Sequence, residues 1–295
     1  MFTPTMKEIM NRYIDTVNKA LLASLPEAKD GQREVVRAMK YSLTNGGKRL
    51  RPVLVMEFCR ICGGKPEDAL PFACAIEYIH TYSLIHDDLP CMDDDDMRRG
   101  NPSCHKMFGQ ATALLAGDAL LTHAFELLTA AELPAERIAQ AVALLAQNAG
   151  VGGMIGGQVL DLMYESKIEP SIADLVTVHR LKTGALISAA CLLGCIAAGA
   201  DAQKLSAASG FAYNLGVAFQ IKDDLLDVLG DEEKLGKPVG SDAENQKATY
   251  VTLAGEQKAQ KDVERLTKNA ISYLDAFEDK DFLVTLANYL VDREN

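Results

Sequence analysis

A chain of 295 residues, 48% apolar and 24% charged, has the composition of a globular protein long enough to bury one large core, and it excludes collagen-like, fibrous and wholly disordered chains. Its 41 acidic residues against 30 basic ones give a formal net charge of -11. That balance argues against binding nucleic acid or an anionic membrane face, and any anionic ligand must meet locally concentrated cations.

The N-terminal MFTPTMKEIM lacks the basic-then-apolar layout of a secretory leader, and no run is expected to reach the ~20 apolar residues of a membrane span. A cytoplasmic protein without stable membrane insertion is the expectation. Helical runs then follow to the C-terminus: ATALLAGDALLTHAFELLTAA, ERIAQAVALLAQNA, LISAACLLGCIAAGA and LSAASGFAYNLGVAFQIKDDLLDVL. They are Ala- and Leu-rich and too long for strands, and Pro26, Gly63, Pro102, Pro134, Pro170, Gly199 and Gly230 punctuate the chain at helical spacing. No Pro/Ser/Gly-rich linker divides it, so the fold class is all-α, a single domain over 1–295 of about ten helices. Residues 185–199 and 209–221 are apolar on most faces, which predicts helices buried mid-bundle, with small residues for close packing or a subunit contact. Seven cysteines without an export signal read as reduced thiols; Cys59 with Cys62, and Cys191 with Cys195, lack the partners of a zinc site.

Charged residues that carry chemistry come in chain order. NGGKRLRP places Lys48, Arg49 and Arg51 between a Gly-Gly turn and Pro52, a helix start whose exposed amides also favour anions. In EYIHTYSLIHDDLPCMDDDDMRRG, Asp87 and Asp88 end an apolar helical run and Asp93 follows Pro90. His80 and Asp87 fall about 20° apart on a helical wheel, so they share a face. Pro90 is expected to kink the helix and swing Asp93 back towards Asp87, and Arg98 and Arg99 follow directly. HRLKTGAL sets Lys182 and Thr183 at an expected helix interruption. In FQIKDDLLDVLG, Gln220, Asp223, Asp224 and Asp227 are expected to project along one stripe, and uncompensated carboxylates at that spacing destabilise a helix. Lys237 lies in the loop beyond. A solvated acidic face would explain one such cluster; two, each inside an apolar helix, point to a cation. Carboxylates without adjacent His or Cys favour Mg²⁺, which shares its shell with substrate phosphates. The implied ligand is a phosphorylated small molecule.

GGKRLRP at 46–52, HDDLPCMDDDDMRRG at 86–100, GGQVLDL at 156–162, LKTGALI at 181–187, FQIKDDLLD at 219–227 and GKPVGSD at 236–242 together resemble the trans-isoprenyl diphosphate synthases, most closely those of the bacterial farnesyl type. The terminal VDREN carries no comparable signature. The resemblance implies antiparallel helices around a deep cavity, with the two aspartate motifs facing each other across its mouth, and about two or three Mg²⁺ ions as cofactor. It implies metal ligation by Asp87, Asp88 and Asp93 from one motif and by Asp223, Asp224 and Asp227 from the other. Asp87, Asp88, Asp93, Asp223 and Lys182 would be catalytic. Arg98, Lys182, Thr183, Gln220 and Lys237 would hold an allylic diphosphate, and Lys48, Arg51, His80 and Arg99 isopentenyl diphosphate. The implied product is farnesyl diphosphate, with a homodimer as the assembly.

The resemblance also points to Tyr82 as the bulky stop that sets product length. On a wheel, however, Tyr82 lies about 140° from Asp87 and Ser83 about 40°, so Ser83 is a second candidate. His86 beside Asp87 could suggest a phosphohydrolase, but His105, His123 and His179 supply no matching ligand pattern. Alternative readings are a synthase of longer chains such as geranylgeranyl diphosphate, a terpene cyclase, or the non-catalytic subunit of a heteromeric synthase.

Overall fold

Residues 4–165, 169–229 and 248–292 are described by the computed structural model. Among them the only extended pairing is a two-residue ladder, Met97 with Pro102 and Arg98 with Asn101; the remaining regular structure is helical. The all-α expectation therefore holds.

Helices α1 (Pro4–Ala23), α2 (Arg33–Thr44), α3 (Leu50–Ile61) and α4 (Leu70–Asp87) form the first half, followed by the short α5 (Cys104–Phe108), then α6 (Gln110–Thr129), α7 (Ala135–Ala149) and α8 (Met154–Glu165). The second half comprises α9 (Ile172–Val178), α10 (Ala185–Ala198), α11 (Ala202–Leu229), α12 (Tyr250–Ala254), α13 (Glu256–Tyr273) and α14 (Asp281–Asp292). Helix α4 is apolar all round, and it is buried between α3, α6 and α10 from Phe72 to Ile79 without interruption. Helix α10 is likewise buried on nearly every face; each of Leu186, Ile187 and Leu193 removed from water stabilises the bundle by roughly 1.5–3 kcal/mol. Gly194 lets α10 lie against α3, because a Cβ there would stand 2.8 Å from Phe58 Cβ and 2.9 Å from the Cys59 nitrogen. The C-terminal part of α11 packs with α12 and α13 in a second, smaller apolar cluster.

Two expectations are corrected. Gln110–Thr129, Ala135–Glu165 and Ile172–Ala198 are each, by length and composition, apolar enough to cross a membrane. Small and polar residues such as Gly117 and Gln158 break the apolar run in sequence while the helix passes through them. The last of these stretches is mostly buried inside the bundle. Pro90, in turn, does not kink a continuing helix. Helix α4 ends at Asp87, since proline disfavours helical backbone at Leu89, and the chain folds back through Asp93 N–H to Asp87 C=O (2.9 Å) and Asp94 N–H to Leu89 C=O (3.2 Å).

The expected interruption near Lys182 is a π-helical turn, His179–Gly184, joining α9 to α10. One wide turn re-aims the side chains that follow it while the helix axis continues. Helix α8 fits against this turn at Gly157, where a Cβ would lie 2.6 Å from Lys182 Cα. Gly157→Ala should therefore displace the turn, destabilising the protein by roughly 1–3 kcal/mol in denaturant titration. Wild-type stability in that variant would show that the close approach of α8 to the turn does not matter.

Candidate active site

At the end of α4 the fold-back places Asp93 beside Asp87. Burial raises the Asp87 pKa to about 6; Lys182 pulls it down, and Asp93 pushes it up. The carboxylate is thus held half-buried beside a like charge, with a lysine as its strongest favourable neighbour. Asp88 behaves differently. It is 2% exposed and paired with Arg98, whose Nε donates to Oδ1 at 2.9 Å. Burial opposes the charge on Arg98, but Asp88 outweighs it and the pKa of the guanidinium rises. Arg98 and Asp88 therefore neutralise one another beside a small side pocket, and neither lines the larger cavities described next.

Lys48, Arg51, His80 and Arg99, scattered over half a hundred residues of sequence, line one cavity of about 920 Å³. The Gly-Gly turn explains how. Gly46 and Gly47 take positive φ (78° and 119°), and a Cβ on Gly47 would stand 2.9 Å from Arg99 Cζ, so the bare turn admits the guanidinium that binds the Gly46 carbonyl. Beneath these cations lies a buried ion pair absent from the sequence reading: Arg49, 6% exposed and left-handed at φ 50°, donates to Glu77, 2% exposed, at 2.7 Å. Arg49 Nε also donates to Asn18 at 2.8 Å. Glu77 is the main favourable charge for both Arg51 and Arg99, whose pKa values burial otherwise lowers, that of Arg51 to about 10. His80 is driven well below its ordinary value, by burial first and then by Arg51, Arg99, Arg49 and Arg98, so it stands as a neutral imidazole among cations.

A second cavity of about 600 Å³ shares Arg51 and His80 with the first. Asp87, Lys182 and Thr183 line it together with Leu89, Met92, Leu121, Leu162 and Leu186, and both Tyr82 and Ser83 reach its wall. The wheel opposition between Tyr82 and Ser83 thus does not separate them, because a cavity this size spans more than one helix face. The Tyr82 ring stands edge-on to His86 at 5.7 Å, and its hydroxyl is buried without a hydrogen-bond partner among the described residues. Lys182 Nζ donates to Asp161 at 2.6 Å. Asp161 had a visible signal in GGQVLDL, but its partner could not be read from the sequence.

In the second aspartate cluster, Asp223 is half-buried and Asp227 buried on α11. Asp224 leaves the expected stripe: its Oδ2 accepts the Tyr250 N–H at 2.8 Å and sits 3.7 Å from His179 Nε2. The reason is local, since the first-turn amides of α12 have no partner within their own helix. The π-helical turn links the clusters, with Lys182 acting on Asp87 and His179 touching Asp224. Gln220, Asp223, Asp224 and Asp227 on α11 line neither cavity, and neither does Asp93, so of the two expected aspartate motifs only Asp87 lines the wall of either. Lys237 lies outside the described residues. A further group was missed: one oxygen each of Asp94 and Asp96 and a ring nitrogen of His105 lie within 4.8 Å of one another.

A folded-state carboxyl pKa raised above its unfolded value contributes stability at low pH, and that contribution is lost as pH rises from about 4 through about 6. Asp87→Asn should therefore be more stable than the wild type at pH 8, by up to about 3 kcal/mol without divalent cations, and the gap should narrow towards pH 4. Denaturant midpoints at the two pH values test this; a pH-independent gap would remove the buried charge as its cause.

Comparisons with known proteins agree with this geometry. Residues 32–287 match the polyprenyl synthetase family. A farnesyl diphosphate synthase of Geobacillus stearothermophilus is 48% identical over 254 residues, 84% of either chain. A geranylgeranyl diphosphate synthase of Cyanophora paradoxa is 42% identical over 292 residues, 98% of this chain and 94% of that one. Among solved structures, an FPP/GFPP synthase from Zymomonas mobilis in its apo form superposes with a TM-score of 0.88 at 36% identity, covering 97% of this chain and 99% of that chain. With a family match across most of its length and relatives this similar over nearly all of it, the chain belongs to the polyprenyl synthetase family.

Proposed function

We propose that this prenyltransferase joins isopentenyl diphosphate head-to-tail to dimethylallyl or geranyl diphosphate, giving (E,E)-farnesyl diphosphate and pyrophosphate. The observation that carries the reading is the meeting of two cavities at Arg51 and His80. One is cationic, lined by Lys48, Arg51, His80 and Arg99, and suits the diphosphate of the nucleophilic substrate. The other is largely apolar, with Asp87, Lys182 and Thr183 among its lining, and suits an allylic diphosphate with its hydrocarbon tail inward.

The carboxylates fit Mg²⁺. They are hard oxygen donors, and the raised pKa of Asp87 marks a charge that a cation would relieve. Asp87, Asp93 and Asp223 would hold the ions, which when bound supply electrostatic stabilisation of the leaving pyrophosphate. Asp88 and Asp224 support their motifs through Arg98 and Tyr250 rather than by ligation.

Breaking the allylic carbon–oxygen bond separates an allyl cation from pyrophosphate, so catalysis needs positive charge where the oxygen departs. Lys182, held by Asp161, provides it in a fixed position. The isopentenyl double bond attacks from the adjoining cavity, already within reach of the cation. Leucine and methionine side chains keep out the water that would quench the cation. The departing pyrophosphate is the base we assign to the final proton loss. Relatives bear both farnesyl and geranylgeranyl names, so product length rests on Tyr82, a buried ring in the cavity wall. The proposal includes a homodimer, a reading supported by the exposed Leu115 on α6, and a cytoplasmic location.

Incubation with Mg²⁺, isopentenyl diphosphate and geranyl diphosphate, followed by chromatography of the hydrolysed alcohol, should yield farnesol. Release of pyrophosphate without consumption of isopentenyl diphosphate would indicate a cyclase, and no turnover a non-catalytic partner. Asp87→Ala and Asp223→Ala should each cut turnover at least about 100-fold with the fold retained by circular dichroism. Tyr82→Ala should shift products towards geranylgeranyl; an unchanged product would reject Tyr82 as the stop.

A further inference from the structure

We propose that Asp94, Asp96 and His105 form a second divalent-cation site, outside both substrate cavities, for a borderline metal such as Mn²⁺ or Zn²⁺. One carboxylate oxygen from each aspartate and one imidazole nitrogen already lie within 4.8 Å of one another. Donors held at about 2.1 Å from one ion stand roughly 3–3.5 Å apart, so small rotations of the two exposed aspartates close the set. None of the three residues lines either cavity.

His105 is the independent indication. It is 5% exposed, its Nδ1 meets the Ser103 hydroxyl at 3.1 Å, and its buried Nε2 has no hydrogen-bond partner among the described residues. An unmatched buried ring nitrogen costs about 1–3 kcal/mol. The Ser103 hydroxyl fixes the orientation of the ring, as such a partner does for a metal-binding imidazole. Positive charge is already drawn to the spot: Lys106 Nζ sits 2.6 Å from Asp96 Oδ1, and a bound ion would share or displace it. The backbone holds the donors in place through the left-handed Asp94 (φ 51°) and the Ser103 N–H to Asp96 C=O bond at 2.9 Å. An imidazole beside two carboxylates favours a borderline ion over Mg²⁺.

The site ties the loop to the start of α5. That loop carries Asp93 at one end and Arg99 at the other, so a bound ion would brace the segment between the two cavities. This consequence rests on the proposed roles of Asp93 and Arg99; the site itself does not.

Mn²⁺ is the probe, because the chain's thiols bind it poorly. Equilibrium dialysis of the full chain against Mn²⁺ in excess Mg²⁺, read by metal analysis and electron paramagnetic resonance, should show a single bound Mn²⁺ that Asp87→Asn retains. His105→Gln, and separately the double variant Asp94→Asn with Asp96→Asn, should weaken it at least about tenfold. His105 is buried and its variant could fold poorly; the exposed double variant keeps the test decisive. The proposal is overturned if the wild type holds no Mn²⁺ against Mg²⁺, if the double variant binds as tightly as the wild type, or if Asp87→Asn alone abolishes binding, which would place the ion with the substrate carboxylates.

Discussion

The buried pair of Arg49 and Glu77 is the contact on which both cavities depend. It joins the start of α3, which carries Arg51, to the helix that carries His80 and Asp87, and it does so almost without water. A buried pair of this kind adds little net stability, but removing one partner strands a charge and costs about 3–5 kcal/mol. Its value here is positional. With Asn18 and the Leu43 carbonyl on the same guanidinium, Arg49 is held from α1 and α2 as well, so four helices share one polar joint inside an apolar core. Glu77 also offsets the repulsion among Arg51, Arg99 and their neighbours.

The residues we assign to the substrates emerge where regular helix stops. The fold-back after Asp87, the π-helical turn at Lys182 and the Gly46–Gly47 turn beneath Arg99 are all departures from ideal backbone, and each is backed by close packing. Gly157 against Lys182 and Gly47 against Arg99 are places where one added carbon would collide with a residue of the proposed site. Straight helices build the walls; their interruptions aim the polar groups inward.

An acidic chain that handles diphosphates has to segregate its charge. Here Asp88 takes Arg98, Glu77 takes Arg49 and Asp161 takes Lys182, so each of these three cations has a carboxylate that holds its geometry, whereas Arg99 donates to the Gly46 carbonyl. Asp87 is the exception. Its neighbours do not cancel the cost of its burial, and a raised pKa at a cavity wall is the condition in which a bound cation gains most.

From sequence, the helical period, the absence of strand signals and the two DDxxD-like clusters determined the fold class and the ligand chemistry, because each is a local pattern whose cause lies within a few residues. The grouping of Lys48, Arg51, His80 and Arg99 followed from motif resemblance, and their common cavity exists only through the packing of α1, α3, α4 and α14. Tertiary structure alone decided which partner each member of a motif meets. On a helical wheel Asp227 falls about 40° from Asp223 and Asp224 about 100° from it, but only the fold supplies the amide donor, from a helix some 26 residues further on, that captures Asp224. Neighbouring residues Asp87 and Asp88 part in the same way, one to a cavity and the other to Arg98. Spacing along a chain sets the direction of a side chain on its own helix, but only the partner supplied by another element sets what that side chain is for.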